Sequence, residues 1–132
     1  MEVVHMKTME RLPEAELEVM LTLWHSDTPL TVGEITRMLA EAHGWKTATV
    51  HVLLERLGER GFVSCDKSGF KHLFAPIITE AEYRRGEEKT MMKRFFGGSA
   101  KNMIASLLNA DGLTDDDLEE LSAMLQERKG GK

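Results

Sequence analysis

Apolar side chains return at helical spacing through most of this chain. Leu17, Met20, Leu21 and Trp24 stand at i, i+3, i+4 and i+7, one stripe that predicts a first helix. Its start falls near Pro13, which suits the first helical position because an N–H there has no partner, and "HSDTP" closes it. A second helix follows Thr31, whose spacing to Glu34 is that of a capping box. Ile35, Met38, Leu39 and Ala42 form its predicted buried stripe, and His43–Gly44 ends it. The third helix is expected from Thr47 to Gly61, with Val50, Leu53, Leu54 and Leu57 inward and Ala48, Thr49, His51, Val52 and Glu55 outward or sideways. The connection between the last two contains a glycine and has the length of a helix-turn-helix turn. "FVSCD" and "FKHLFAP" then read as two short strands joined through "KSG".

The composition shifts at Thr79. Thr79 and Glu82 repeat the capping spacing ahead of "TEAEYRRGEEKTMMKRFF", which reads as helix despite Gly86. Gly97–Gly98 stop it, Ser99 can cap "SAKNMIASLLN", and Thr114 followed by three aspartates opens "DDDLEELSAMLQER", since acids favour the positive end of a helix dipole. The final "KGGK" is expected to fray. Short helices this apolar need a partner surface, and a second copy of the chain is the natural supplier. Phe95, Phe96, Ile104, Leu107, Leu108, Leu118, Leu121 and Leu125 are the expected dimerisation residues. The fold class is therefore mainly α. A winged helix-turn-helix of three helices plus a β-hairpin wing, residues 9–78, precedes a helical dimerisation region, residues 79–129.

Composition narrows the function. With 132 residues, 42% hydrophobic and 30% charged, the chain suits one compact domain with an extension. The N-terminal stretch is interrupted by charge before any apolar run develops, unlike a signal peptide. No window approaches a membrane span, so no membrane insertion and a cytoplasmic location are expected. One cysteine, Cys65, excludes an internal disulfide framework and a multi-cysteine zinc site. The five histidines, at 5, 25, 43, 51 and 72, lack ligand spacing. No metal or cofactor is expected. Catalysis finds no support either: there is no phosphate-cradling glycine loop, no nucleophile elbow and no paired acids on a buried face.

Charge is the awkward feature for a nucleic-acid binder. The net charge is −5, and neither half of the chain is basic. Within Gly44–Pro76, however, Lys46, Arg56, Arg60, Lys67 and Lys71 face only Glu55, Glu59 and Asp66, and phosphate binding follows the local patch. If the third helix enters a major groove, Lys46 and Thr47 meet phosphates at its start, aided by free backbone N–H groups. Thr49 and His51 then reach base edges, and Val52 packs on a thymine methyl. Ala48 shares that face. The alternative is a solvated helix face with one stray valine. Arg56 either contacts phosphate or pairs with an acid of the first helix. Lys67 and Lys71 flank the wing turn as phosphate contacts, or serve solubility alone.

Several motifs in this order resemble one family. "AELEVMLTLW", "LTVGEI", Trp45 with Thr49 and Val50, Leu54 with Arg56 and Leu57, the glycine and valine after the third helix, Phe74 with Pro76, and Gly97–Gly98 together resemble the penicillinase-repressor (BlaI/MecI/CopY) family. The resemblance runs from about Leu12 to Leu125. It implies a homodimeric repressor whose winged helices read a double-stranded, dyad-symmetric operator, controlling an antibiotic- or stress-response gene. In antibiotic-responsive members it further implies a membrane sensor pathway that ends repression by cutting the dimerisation helices. Ser106–Leu107 stands here where the cleaved members have Asn-Phe, and Cys65 alone cannot form the paired-cysteine copper site of other members. A common family threonine of the recognition helix is Val52 here. Two further readings stay open: a winged-helix regulator answering a small molecule directly, and a protein–protein adaptor built on the same scaffold.

Overall fold

The computed structural model describes residues 11–130, so the leader reading, His5 and the expected start of the first domain at residue 9 lie outside the described residues. Along the chain come α1 (Glu14–Trp24), α2 (Val32–His43), α3 (Thr47–Glu59), β1 (Val63–Asp66), β2 (Leu73–Pro76), α4 (Glu80–Phe96), α5 (Ala100–Leu108) and α6 (Asp115–Gly130). The protein is mainly α, with three helices and a two-stranded antiparallel wing at its N-terminal end.

Local chemistry sets the boundaries. α1 starts one residue later than expected: Pro13 precedes it, and the Pro13 carbonyl accepts the Leu17 N–H at 2.9 Å. At α2 the capping box is complete. The Glu34 N–H donates to Thr31 Oγ1 at 3.1 Å, and the Thr31 N–H donates back to Glu34 Oε1 at 2.9 Å. That second bond holds the Glu34 carboxyl below its ordinary value. Gly44 ends α2 at φ 65°, and Gly61 follows α3 at φ 83°, left-handed conformations that a Cβ would strain. Across the turn, His43 stacks on Trp45 with centroids 4.2 Å apart, and its Nε2 lies 3.5 Å from Glu18 Oε1 on α1. The helix-turn-helix is thereby tied to its neighbour.

The wing is shorter than the sequence suggested. Its register pairs Val63 with Pro76 and Asp66 with Leu73, so Phe70, Lys71 and His72 belong to the connecting loop. Leu30 exchanges both backbone bonds with Phe74, at 3.0 and 2.8 Å, which adds a third edge to the hairpin.

One core closes the N-terminal unit. Val19, Met20, Leu23, Ile35, Val50, Leu54, Leu57 and Phe62 are all fully buried within it. The buried face of α1 is Glu16, Val19, Met20 and Leu23, one residue away from the predicted stripe; Leu17 and Trp24 pack only at its margin. On α2 only Ile35 and Leu39 are buried, while Met38 and Ala42 are exposed, because α3 and α1 cover a narrower stripe than the apolar pattern offers. Removing the Leu57 side chain beyond Cβ would cost roughly 2–5 kcal/mol.

The chain divides into two compact units between Glu88 and Lys89, within α4. Composition changes earlier, at Thr79, but packing carries on because Tyr83 belongs to the first core. Its hydroxyl accepts the Leu12 N–H at 2.8 Å, its ring lies 5.6 Å from that of Trp24, and burial pushes its pKa up. In the C-terminal unit Ser99 caps α5 through the Asn102 N–H at 3.0 Å, and Thr114 caps α6 through the Asp117 N–H at 3.0 Å. The expected fraying at "KGGK" is corrected for its first half: α6 continues through Lys129 and Gly130, with Arg128 and Lys129 favourably placed in its last turn. Lys132 and its neighbouring glycine lie outside the described residues.

Candidate nucleic-acid interface

The sequence of α3 forces it to present two unlike faces. Val50, Leu53, Leu54 and Leu57 are buried against α1, α2 and the wing. On the opposite side Lys46, Thr47, Ala48, Thr49, His51, Glu55 and Arg56 are exposed, and Val52 is 44% exposed. The start of the helix differs from that of α2. Lys46 holds an extended N-cap conformation with no side-chain cap. Thr49 and Val50 both donate to the Lys46 carbonyl, at 3.0 and 3.2 Å. The Thr47 and Ala48 N–H groups have no partner among the described residues and point out of the helix beside a lysine. Such a start favours an anion.

The wing brings further cations near this face. Asp66 opens its loop, taking the Ser68 N–H at 2.9 Å and the Ser68 hydroxyl at 2.7 Å, which together hold its carboxyl below the ordinary aspartate range. The turn is thus fixed by its own acid, leaving Lys67 and Lys71 exposed on either side of the tip. A cleft of about 290 Å³ lies between α3 and the wing, with His51 and Glu55 on one wall and Cys65, Lys67 and His72 on the other. Within it His51 Nε2 is 4.0 Å from Glu55 Oε2. An acid one turn along α3 thus lies beside the imidazole, a neighbour that the outward placement of Glu55 left without a task.

The structure separates two arginines. Arg56, read as either a phosphate contact or a partner for an acid of the first helix, makes no ion pair among the described residues and is exposed. The pairing belongs to Arg60, whose Nη1 lies 3.7 Å from Glu16 Oε1 on α1. Glu16 is 2% exposed and that oxygen has no hydrogen-bond partner. The sequence contained the signal, an acid at i, i+3, i+4 and i+7 with Val19, Met20 and Leu23, but the all-apolar stripe one residue on outranked it.

The eight residues expected to hold a dimer fall in the C-terminal unit. Phe95 and Phe96 sit in the last turn of α4, Ile104, Leu107 and Leu108 on α5, and Leu118, Leu121 and Leu125 on α6. No described residue from Lys89 onward is buried; Phe95 is 69% exposed and Leu125 61%. Ser106–Leu107 lies in the last turn of α5, also exposed. Among the described residues no three His, Cys, Asp or Glu side chains gather to hold a metal ion, and no helix is long and apolar enough to cross a membrane.

A winged helix-turn-helix with a free, cation-flanked outer face on its third helix is the architecture of a DNA-reading regulator. The chain belongs to the penicillinase repressor family, whose model matches residues 12–127. This is a family of DNA-binding transcriptional repressors, not of enzymes. The penicillinase repressor of Bacillus licheniformis is 28% identical over 127 residues, covering 96% of this chain and 98% of that protein. The methicillin resistance regulatory protein MecI of Staphylococcus aureus (strain N315) is 22% identical over 122 residues, covering 92% and 98%. Among solved structures, monomeric Bacillus licheniformis BlaI in complex with the blaP half-operator is similar at 28% identity with a TM-score of 0.49, over 57% of this chain and 90% of that one.

Proposed function

We propose that the protein is a homodimeric repressor that binds a dyad-symmetric, double-stranded DNA operator through α3 and the wing. The observation that carries this is the two-faced third helix, with Val50 and Leu57 wholly buried and Thr49, His51 and Val52 open to solvent on its back. In this reading Thr49 and His51 contact base edges and Val52 packs on a thymine methyl, Ala48 leaving room for close approach. Lys46, the Thr47 and Ala48 N–H groups, Arg56, Lys67 and Lys71 hold the phosphate backbone. Two copies join through Phe95, Phe96, Ile104, Leu107, Leu108, Leu118, Leu121 and Leu125; in one copy Phe96 and Leu121 are half-buried and the other six exposed, which supports a second copy as their cover. The regulated gene belongs to an antibiotic or stress response, and the protein acts in the cytoplasm.

The test is binding of the full chain to an operator selected from a random duplex pool. Thr49→Ala or His51→Ala should lower the ratio of operator to random-sequence affinity, since each good base contact is worth roughly 1–3 kcal/mol of discrimination. Lys67→Ala or Lys71→Ala should lower both affinities and leave the ratio nearly unchanged. Charged residues at Leu121 and Leu125 should yield monomers and weaken operator binding together. If Thr49 and His51 both become alanine with no change in preference, the face is a solvated surface and the reading fails.

A further inference from the structure

Phe70 is the odd residue of the wing. The other phenylalanines of the N-terminal unit, Phe62 and Phe74, are core residues, 0% and 7% exposed, whereas Phe70 is 100% exposed. It sits in the loop between Asp66 and Leu73, the last paired residues of the hairpin. A loop of this length carries its tip up to roughly 10 Å beyond the last pair, at about 3.3 Å per residue on each side. Lys67 and Lys71 bracket the ring in sequence, and the one acid of the tip, Asp66, is engaged by Ser68.

The tip also has a defined neighbourhood. Phe70, Lys71 and His72 line a groove of about 510 Å³ with Thr31, Gly33, Glu34 and Arg37, at the start of α2. On its other side the wing meets His51 of α3 through Lys67 and His72. The exposed ring therefore stands beside the start of α2, on a wing whose other side faces the middle of α3. The wing faces the duplex if α3 enters the major groove.

We propose, resting on that reading of α3, that Phe70 enters the minor groove beside each half-site while Lys67 and Lys71 grip the phosphates on either wall. Phe70 then confers a preference for A·T over G·C pairs at that flank. The minor groove is about 6 Å wide and shows only acceptors at A·T pairs, whereas guanine adds an amino group to its floor. A ring with no hydrogen-bonding atom cannot satisfy that amine and is obstructed by it. A·T tracts also narrow the groove and deepen its negative potential, which favours flanking lysines, and their TA steps yield most easily to an apolar wedge.

The experiment uses the full chain and one duplex selected from the random pool, built with A·T, G·C or inosine·C pairs at the flank. Inosine lacks only the minor-groove amine. Wild type should bind the A·T and inosine·C flanks alike and the G·C flank about ten-fold more weakly, the factor that corresponds to ~1.4 kcal/mol. Phe70→Ala should bind all three flanks equally and keep the half-site preference set by Thr49 and His51. The side chain is fully exposed, so this variant has no packing to lose. A wild type indifferent to the flank, or a Phe70→Ala variant that keeps the preference, overturns the proposal while leaving the α3 reading intact. Altered sedimentation of free Phe70→Ala would make the tip a protein contact and overturn it too. A wild type that selects no motif at all overturns both.

Discussion

Glu16 and Arg60 offer the sharpest test of how α3 is held in place. The Glu16 carboxylate is buried on α1, with one oxygen unbonded and the Arg60 guanidinium 3.7 Å away at the end of α3. At that separation the attraction is about 4 kcal/mol for an effective dielectric near 20. The Arg60 side chain is 39% exposed, so water screens the pair and the net worth is lower. Arg60→Met keeps most of the apolar stem but strands the carboxylate, an unsatisfied buried group that costs roughly 1–3 kcal/mol. We expect a loss of about 2 kcal/mol. Adding Glu16→Leu to that variant should restore most of it, since a buried ion pair exchanged for apolar packing is often neutral or stabilising. Urea unfolding followed by tryptophan fluorescence reads the correct unit, because both tryptophans, Trp24 and Trp45, lie in it. Arg60→Met costing less than about 0.5 kcal/mol, or a double variant no more stable than the single one, would refute the coupling.

Thr31→Ala should destabilise the N-terminal unit by about 1 kcal/mol in thermal unfolding, the usual worth of an N-cap. Because the same cap depresses the Glu34 pKa, its contribution is fully present above the ordinary glutamate value of 4.5 and is lost as pH falls through the lower folded value. The Thr31 N–H that lowers this pKa is backbone and survives in Thr31→Ala, so Glu34→Gln is the variant that should unfold less steeply with acid, and an unchanged acid limb would count against the cap. The bond between Ser106 and Leu107 should stay intact in cells exposed to a cell-wall antibiotic, checked by mass spectrometry for a fragment ending at Ser106. If Lys46, Arg56, Lys67 and Lys71 each contact a phosphate in both copies of the proposed dimer, the salt slope should be near −7. A slope shallower than about −3 by fluorescence anisotropy would mean that fewer of these side chains engage.

Helix starts were the most legible part of the sequence, because a cap is a local event. Thr31–Glu34, Thr79–Glu82, Ser99 and Thr114 all form the bonds their spacing implies. Left-handed stops at Gly44 and Gly61 were legible for the same reason. Faces were less so. Met38 fits an apolar stripe yet is 58% exposed, and α1 turns by one residue to bury Glu16, because which flank of a broad apolar face is covered depends on distant partners. Periodicity cannot report that. Phe70 read as a strand residue because "FKHLFAP" has strand composition, whereas the register ends at Leu73. The outer face of α3 was legible in composition, but its Glu55–His51 neighbour and its freedom from Arg60 were not.

That last separation bears on how an acidic chain can serve as a DNA binder. Of the five cations between Gly44 and Pro76, Arg60 is directed to Glu16 and leaves the exposed set to Lys46, Arg56, Lys67 and Lys71. Against them stand Asp66, kept ionised by its bonds from Ser68, and the exposed Glu55 and Glu59 of α3, so the local face is only modestly cationic. The acids of the C-terminal unit concentrate at the start of α6, where Asp115, Asp116 and Asp117 complement the helix dipole. The net charge of −5 weakens the approach to DNA and sequence-independent binding. The base contacts proposed for α3 depend on it least. An acidic total with a small cationic face therefore raises the ratio of specific to non-specific binding, and that ratio is what a repressor facing a whole chromosome requires.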